Sequence, residues 1–378
     1  MTHGSPARPT VVVLGGGYAG IQVARPLDDL ADVVLVEPKD DFVHNVAALR
    51  ALVDPGWLER IYLPYTGLLG HGRVVRDRAV KADADRVVLA SGAELFPDYL
   101  VLATGSGYPF PAKHDLPGAD LTSTDLTSTE AAHAKVRNTH AALAGADRVL
   151  LLGAGPVGIE LAGEIKAVWP GKQVTLVDVA GDVLGERYRP DLKAELRRQL
   201  TGLGAGLLLG SPLEAGPPTA AGELGTFTVT TRAGAEVTAD IWFRCFGVTP
   251  ASDYLAGGLA AARRPDGFVE VTPELLVAGQ DQVFALGDVS AADQNKGAGA
   301  AGRQAPVVAG NIRALITGHG ELARYEPPAA SIIVPIGPEG GAGQRAGLED
   351  LVPAETVAEL KGRDMMVGRF AELLGLST

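Results

Sequence analysis

One cysteine, Cys245, is all that the chain carries in 378 residues. A single thiol excludes an intramolecular disulfide, a CxxC redox pair, an iron–sulfur cluster and a cysteine-ligated zinc site. Cys245 falls in the strand-like run 240–246, where a buried thiol in the core is expected. Positive charge is short as well. Lys and Arg number 33 against 45 Asp and Glu, and a net charge of −12 makes nucleic acid and anionic membrane surfaces poor partners. No run approaches the roughly 20 apolar residues of a membrane helix. The start, Met1–Thr10, is polar and without an apolar stretch, so no signal peptide is expected and a cytoplasmic, reducing location follows. No nucleophile–base pair or metal-ligand cluster stands out, which leaves hydrolysis and metal chemistry without support.

What the chain does have is aliphatic and small residues, with 46% hydrophobic residues and 49 glycines. That is ample for the cores of two or three domains. The organising stretch is Val11-Val12-Val13-Leu14-Gly15-Gly16-Gly17-Tyr18-Ala19-Gly20. Four apolar residues read as a buried parallel strand, and the glycines force a tight turn into a helix. In this G-x-G-x-x-G, Gly15 permits the turn, Gly17 lets backbone approach a pyrophosphate, and Gly20 lets helix and strand pack closely. The phosphates would sit at the positive end of the helix. A second strand, 31–36, ends in Glu37, at the place of the acid about 20 residues on that holds a ribose.

The pattern then occurs again. Val149-Leu150-Leu151-Leu152 precedes Gly153-Ala154-Gly155-Pro156-Val157-Gly158-Ile159-Glu160, and the strand 174–177 ends in Asp178. Two such folds imply two dinucleotides. Asp178 can accept from a free 2′-hydroxyl and would repel a 2′-phosphate, which favours NADH over NADPH. Between and after the two folds lie a helix whose apolar positions are 46, 49, 52 and 53, strands at 74–80 and 86–89, and a strand 99–102 entering the small turn Ala103-Thr104-Gly105-Ser106. A helix over 128–144, strands at 205–209, 226–231 and 236–243, and the run Cys245-Phe246-Gly247-Val248 follow. A short strand 268–271 leaves the turn Asp266-Gly267, and the strand 282–286 delivers Asp288 at its carboxyl end, where open α/β sheets bind ligands. Lys296 precedes a helix over 297–316. Beyond Glu326-Pro327-Pro328 come a strand 331–336 interrupted by Pro335, a turn-rich loop 338–343 and an amphipathic helix 356–376.

Two glycine fingerprints, the Ala-Thr-Gly turn and the late Gly-Asp motif resemble the two-dinucleotide-binding flavoprotein oxidoreductases. Within them the run Lys39-Asp40-Asp41-Phe42-Val43-His44-Asn45-Val46-Ala47-Ala48-Leu49-Arg50 is similar to that of the AIF-like ferroptosis suppressor proteins. So are Pro156–Ile165, Lys296 with its helix, and Lys361-Gly362-Arg363-Asp364. The resemblance covers nearly the whole chain. It implies an α/β protein with two Rossmann-like dinucleotide-binding domains, for FAD and NADH, plus a small C-terminal α+β domain. The expected plan is an FAD-binding domain in two parts, 1–115 and 251–325, an NAD(P)H-binding domain over 116–250 and a C-terminal domain over 326–378. The implied activity is oxidation of NAD(P)H through FAD and reduction of a quinone-type acceptor, on the plan of type II NADH dehydrogenases. Carried over by position, Gly15, Gly17, Tyr18, Ala19, Gly20, Glu37, Lys39, Arg50, Thr104, Gly105 and Asp288 would bind FAD, with Val80 touching its adenine through the backbone. Gly153, Gly155, Pro156, Val157, Gly158, Asp178 and Gly247 would bind NADH.

Catalytic roles are expected for two residues. Lys296 and the helix start at Gly297 would stabilise charge near flavin N1 and the C2 carbonyl, and Glu160 would face the nicotinamide. His44 and Asn45 are placed as borders of the flavin or, for the histidine, as a buried hydrogen-bonded side chain. The start Met1-Thr2-His3-Gly4 departs from the N-terminal glycine that animal members carry for myristoylation. The C-terminal helix is expected to pack on the first domain or on a second copy in a homodimer, with peripheral membrane contact as the other use of its apolar side. Two further readings stay open beside the quinone reductase: a reductase of a small electron-carrier protein, and a redox sensor with a stable NADH complex.

Overall fold

The computed structural model describes residues 8–114 and 128–376. The polar start 1–7 and the expected domain boundary at 115/116 lie outside them. Thr10–Leu14 is fully enclosed from Val11 onwards and forms the centre of a five-stranded sheet. Its order is Val283–Ala285, Tyr99–Leu102, Thr10–Leu14, Asp32–Glu37, Arg73–Arg76, and every pairing is parallel. A parallel sheet must be covered on both faces. Helices Tyr18–Leu27 and Ala298–Thr317 pack together in the apolar cluster on one face. The antiparallel strands Ala79–Ala82, Val87–Leu89 and Glu94–Leu95 join the cluster on the other.

The second sheet repeats the plan with four parallel strands in the order Gly206–Leu208, Gln173–Val177, Arg148–Leu152, Ile241–Arg244. Helix Pro156–Val168 follows its central strand, as Tyr18–Leu27 follows that of the first. The chain passes between the two folds along a short ribbon in which Ser106–Gly107 pairs antiparallel with Thr249–Pro250. The expected α/β class with two Rossmann-like folds is what the chain adopts.

Several local expectations are corrected. The strand expected at 74–80 is two strands, because Asp77 turns its carboxylate inward to the Arg78 amide and the Ser91 hydroxyl and directs the chain from the parallel sheet into the antiparallel one. The strand expected at 236–243 breaks at Asp240, which Arg148 holds through a paired contact and its own amide. Residues 268–271 make only isolated bridges. The turn-rich loop expected at 338–343 contains the strand Gly340–Gln344, paired with Ile332–Ile336 and packed on the second fold. Glycine has little strand propensity. It is nevertheless required here, since Gly341 takes φ of +121° and a Cβ on it would stand 2.3 Å from the Val334 carbonyl oxygen of the paired strand.

The largest correction is at the C-terminus. In place of one helix over 356–376 there is a short turn of helix, Ala354–Val357, a π-turn Ala358–Gly362, and a separate helix Val367–Leu373. Met365 and Met366 break it, with φ of +53° and +63°. Phe370 and Leu374 enter the core of the first fold, and Met365 is buried beside Trp57 and Tyr62. The segment packs on the first domain, as one of the expectations had it.

Candidate functional site

Both glycine loops have the same division of labour. Gly15 and Gly153 take φ of +99° and +110°, in the left-handed region open to glycine. A Cβ on Gly20 would lie 1.8 Å from the Gly15 carbonyl oxygen, and one on Gly158 would lie 1.9 Å from that of Gly153. Those third glycines are therefore fixed by helix–strand contact. The second glycines differ. Gly17 and Gly155 have ordinary extended backbone, and a Cβ on either would meet nothing within 4 Å. Neither conformation nor packing requires glycine there, so the open space in front of each loop fits the phosphates of a dinucleotide.

The strand-ending acids are matched too. Glu37 accepts from the Gly16 amide (2.7 Å) and from the amide (3.0 Å) and ammonium (3.3 Å) of Lys39. Asp178 accepts from the Ala154 amide (2.6 Å) and the Ala180 amide (2.8 Å). A carboxylate offers about four acceptor positions, so each acid keeps capacity for a ribose hydroxyl. Val80 is the extra residue of a bulge, outside the register of its strand pair. The Thr104 hydroxyl donates to the Ala251 carbonyl (2.6 Å), and Gly105 turns at φ +68°. Gly247 turns at φ +101° beside Arg244, whose guanidinium lies over Phe246.

Asp288 stands at the carboxyl end of the edge strand, held by the Ser106 hydroxyl (2.9 Å) and the Gly297 amide. The ammonium of Lys113 is 3.7 Å from its carboxylate and donates to Ser106. Lys113 escaped the sequence reading because nothing in its spacing links it to Asp288; only the Ser106–Gly107 ribbon brings them together. Lys296 points elsewhere than its helix start suggests. Its ammonium donates to the Ser290 carbonyl (2.6 Å) and lies 4.3 Å from the centre of the Phe268 ring, and burial lowers its pKa against the pull of Asp288 and Asp293.

A second polar cluster joins three parts of the chain. Glu160 and Glu164 lie one turn apart on the helix Pro156–Val168. Lys361, on the π-turn, donates to Glu160 (2.8 Å). Arg50, expected at the flavin, instead places its guanidinium across both oxygens of Glu164 and on the Gly362 carbonyl (2.8 Å). Burial raises the pKa of both glutamates, while Lys361 and Arg50 oppose the rise. Lys361 was visible only as part of a quoted run, since nothing in sequence pairs positions 201 residues apart.

His44 is fully buried in a chain of bonds that fixes its tautomer. Nε2 faces the Met365 carbonyl (2.6 Å), which can only accept, so Nε2 carries the proton. Nδ1 then accepts from the Tyr18 hydroxyl (3.1 Å), and that oxygen accepts from the Val46 amide (3.0 Å). Tyr18 thus ties the first glycine loop to the C-terminal segment, while Asn45 opens a 3₁₀ turn beside it. Burial lowers the His44 pKa to about 4, aided by Lys361. A base with a depressed folded-state pKa contributes fully above its unfolded value, near 6.5, and progressively less as pH falls from there to about 4. The loss should approach about 3 kcal/mol. Urea unfolding across that range should therefore show a steep fall in the wild type and a flatter one in His44→Gln. Equal slopes would mean that His44 is not held neutral.

The profile of the family described as pyridine nucleotide-disulphide oxidoreductase matches residues 9–307. Ferroptosis suppressor protein 1 of Taeniopygia guttata is 31% identical over 373 residues, covering 97% of this chain and 95% of its own. The Homo sapiens protein of that name is 31% identical over 363 residues, covering 94% and 93%. Among solved structures, the sulfide:quinone oxidoreductase of Aquifex aeolicus superposes with a TM-score of 0.74 at 18% identity, over 97% of this chain and 91% of that one.

Proposed function

Since this chain belongs to the pyridine nucleotide-disulphide oxidoreductases, and within them to the AIF-like ferroptosis suppressor proteins, its chemistry is that of an FAD-dependent NAD(P)H oxidoreductase, and we propose that it oxidises NADH and delivers the electrons to a quinone. One observation carries the choice of acceptor. The single cysteine is buried, with a pKa pushed up to about 12, so the chain has no dithiol to relay electrons to a disulfide substrate. The preference for NADH rests on Asp178, whose carboxylate lies next to the second glycine loop, where a 2′-phosphate would be repelled.

When bound, the flavin supplies the two-electron chemistry, taking hydride from the nicotinamide and giving electrons to the acceptor. The chain's own part is placement and proton handling. Gly17 and Gly155 leave room for the two pyrophosphates, Glu37 and Asp178 accept from ribose hydroxyls, and Asp288 accepts from the ribityl chain. Gly105, Val80 and Gly247 border the cofactors with backbone, and Lys296 with Lys113 adds positive charge near Asp288. Glu160 is the proton-handling group. It is half-buried, has a raised pKa and is steadied by Lys361, the setting in which a carboxyl can give up a proton to a reduced quinone and be recharged. The fold is proposed to work in the cytoplasm. Among the described residues no helix is long and apolar enough to cross a membrane.

The test is stopped-flow reduction of the purified yellow protein by NADH and by NADPH, followed by mixing with a soluble quinone. Rapid reduction by NADH and rapid reoxidation by quinone are expected. A long-lived NADH complex that quinone does not discharge would replace this reading with that of a sensor. Glu160→Gln should keep its flavin and lose about 10²- to 10⁴-fold in quinone turnover. An unchanged turnover would remove Glu160 from proton transfer.

A further inference from the structure

The loop after Asp178 bends back over the second glycine loop, with the Leu184 amide donating to the Ala154 carbonyl (3.0 Å). Leu184 takes φ of +58° to do so, an uncommon conformation for a branched side chain. Three residues on, Arg187 reaches out of the second fold. Its Nη2 donates to the Asn295 side-chain oxygen at 2.5 Å. Asn295 lies on the first fold's loop, two residues before Gly297, whose amide holds Asp288. The pair therefore spans the seam between the loop of one nucleotide fold and the carboxylate of the other.

Two of its atoms are buried without a partner among the described residues, Arg187 Nε and Asn295 Nδ2. Both are donors. A buried donor left unpaired is costly, more so when it is charged, so two of them at a seam call for an acceptor from outside the chain. The acceptor should be anionic. Carboxylates flank the pair's two loops: Asp293 accepts from the Asn295 amide (2.7 Å), Asp288 from the Gly297 amide and Asp178 from the Ala154 amide (2.6 Å), in a chain of net charge −12. A dinucleotide brings two phosphate charges into that field, and the helix start at Gly155 offsets them only with partial charge. A guanidinium edge with an adjacent amide N–H matches phosphate oxygens in number and direction.

Resting on the reading of the second fold as the NADH site, we infer that Arg187 and Asn295 form a phosphate-binding subsite. It grips the pyrophosphate of the nicotinamide dinucleotide from the side opposite the glycine loop, with one donor from each fold.

The wild-type holoenzyme is first titrated calorimetrically with ADP-ribose, adenosine and inorganic pyrophosphate, and then Arg187→Met and Asn295→Ala are compared. Arg187→Met should raise KM for NADH and the Kd of ADP-ribose together by about ten- to a hundredfold, the range for a hydrogen bond to a charged group. Asn295→Ala should move both by a smaller factor in the same direction. Adenosine, without phosphate, should bind all three proteins equally, and pyrophosphate should compete with NADH in the wild type only. Flavin content should not change. An unchanged ADP-ribose Kd would overturn the subsite, whether the quinone KM rises, assigning the donors to the acceptor, or nothing moves, leaving a simple latch between folds. A wild type that bound ADP-ribose through Arg187 but was not reduced by NADH would defeat the proposed reaction and leave the subsite standing.

Discussion

Gly17→Val is expected to give a folded protein that purifies without flavin, and Gly155→Val a yellow protein that NADH no longer reduces. The expectation follows from how the six loop glycines differ. Gly20 and Gly158 cannot gain a Cβ, because the atom would fall within 2 Å of a carbonyl oxygen whose loop has no room to retreat. Gly20→Ala should therefore compromise the first fold outright. At Gly17 and Gly155 the backbone is extended, with φ of −78° and −76°, and the space beyond the α-carbon is open. A Cβ meets no protein atom at either place, so thermal unfolding of Gly155→Val should stay close to wild type, and that of Gly17→Val close to wild-type protein stripped of its flavin. The branched side chain would instead occupy the volume that a pyrophosphate must enter, and would hold it off the amides at the helix start. Flavin absorbance per polypeptide reads the first loop, and reduction of bound flavin by NADH against dithionite reads the second. If Gly155→Val lost flavin and Gly17→Val lost only NADH, the two loops would have been assigned the wrong way round. If both variants stayed fully active, neither loop would hold a phosphate.

This contrast also marks what the sequence could convey. The two glycine motifs, their strands and their terminal acids are local patterns, since turn, helix start and strand end follow one another within some 25 residues, and those elements were legible. Strand breaks at Asp77 and Asp240 were not, because each depends on where a side chain finds its partner, Ser91 in one case and Arg148 in the other. The C-terminal helix failed for a similar reason. Its apolar period is genuine, but the Met365 carbonyl is drawn to His44 and the Gly362 carbonyl to Arg50, each more than 300 residues away in sequence. Tertiary contacts of that range override helix propensity. The seam residues Arg187 and Asn295 lay equally beyond reach, since neither belongs to a spaced motif and only the packing of two folds brings them together.

Arg50 offers the sharpest separation between what resemblance implies and what the packing requires. By position it would touch FAD, yet its guanidinium lies across Glu164 and on the Gly362 carbonyl, 6% exposed. It ties the first fold to the helix of the second and to the C-terminal segment. Removing one member of a buried ion pair leaves the other charge uncompensated, a loss of about 3–5 kcal/mol. Arg50→Ala should therefore lower the unfolding midpoint sharply. Replacing both partners by apolar residues of similar size, Arg50→Met with Glu164→Leu, should recover most of that loss, because the desolvation cost of the two charges disappears together. A flavin ligand would behave in the opposite manner. Its loss would weaken FAD affinity in the folded protein, and a change at Glu164 would not restore it. Chemical unfolding of the four proteins of the cycle, with FAD titrations at a temperature where all remain folded, separates the two roles. A coupling energy near zero together with weakened FAD binding would return Arg50 to the flavin. A large coupling with unchanged FAD affinity would make it the tie between the folds, on which the alignment of Glu160 and Lys361 one helical turn away then depends.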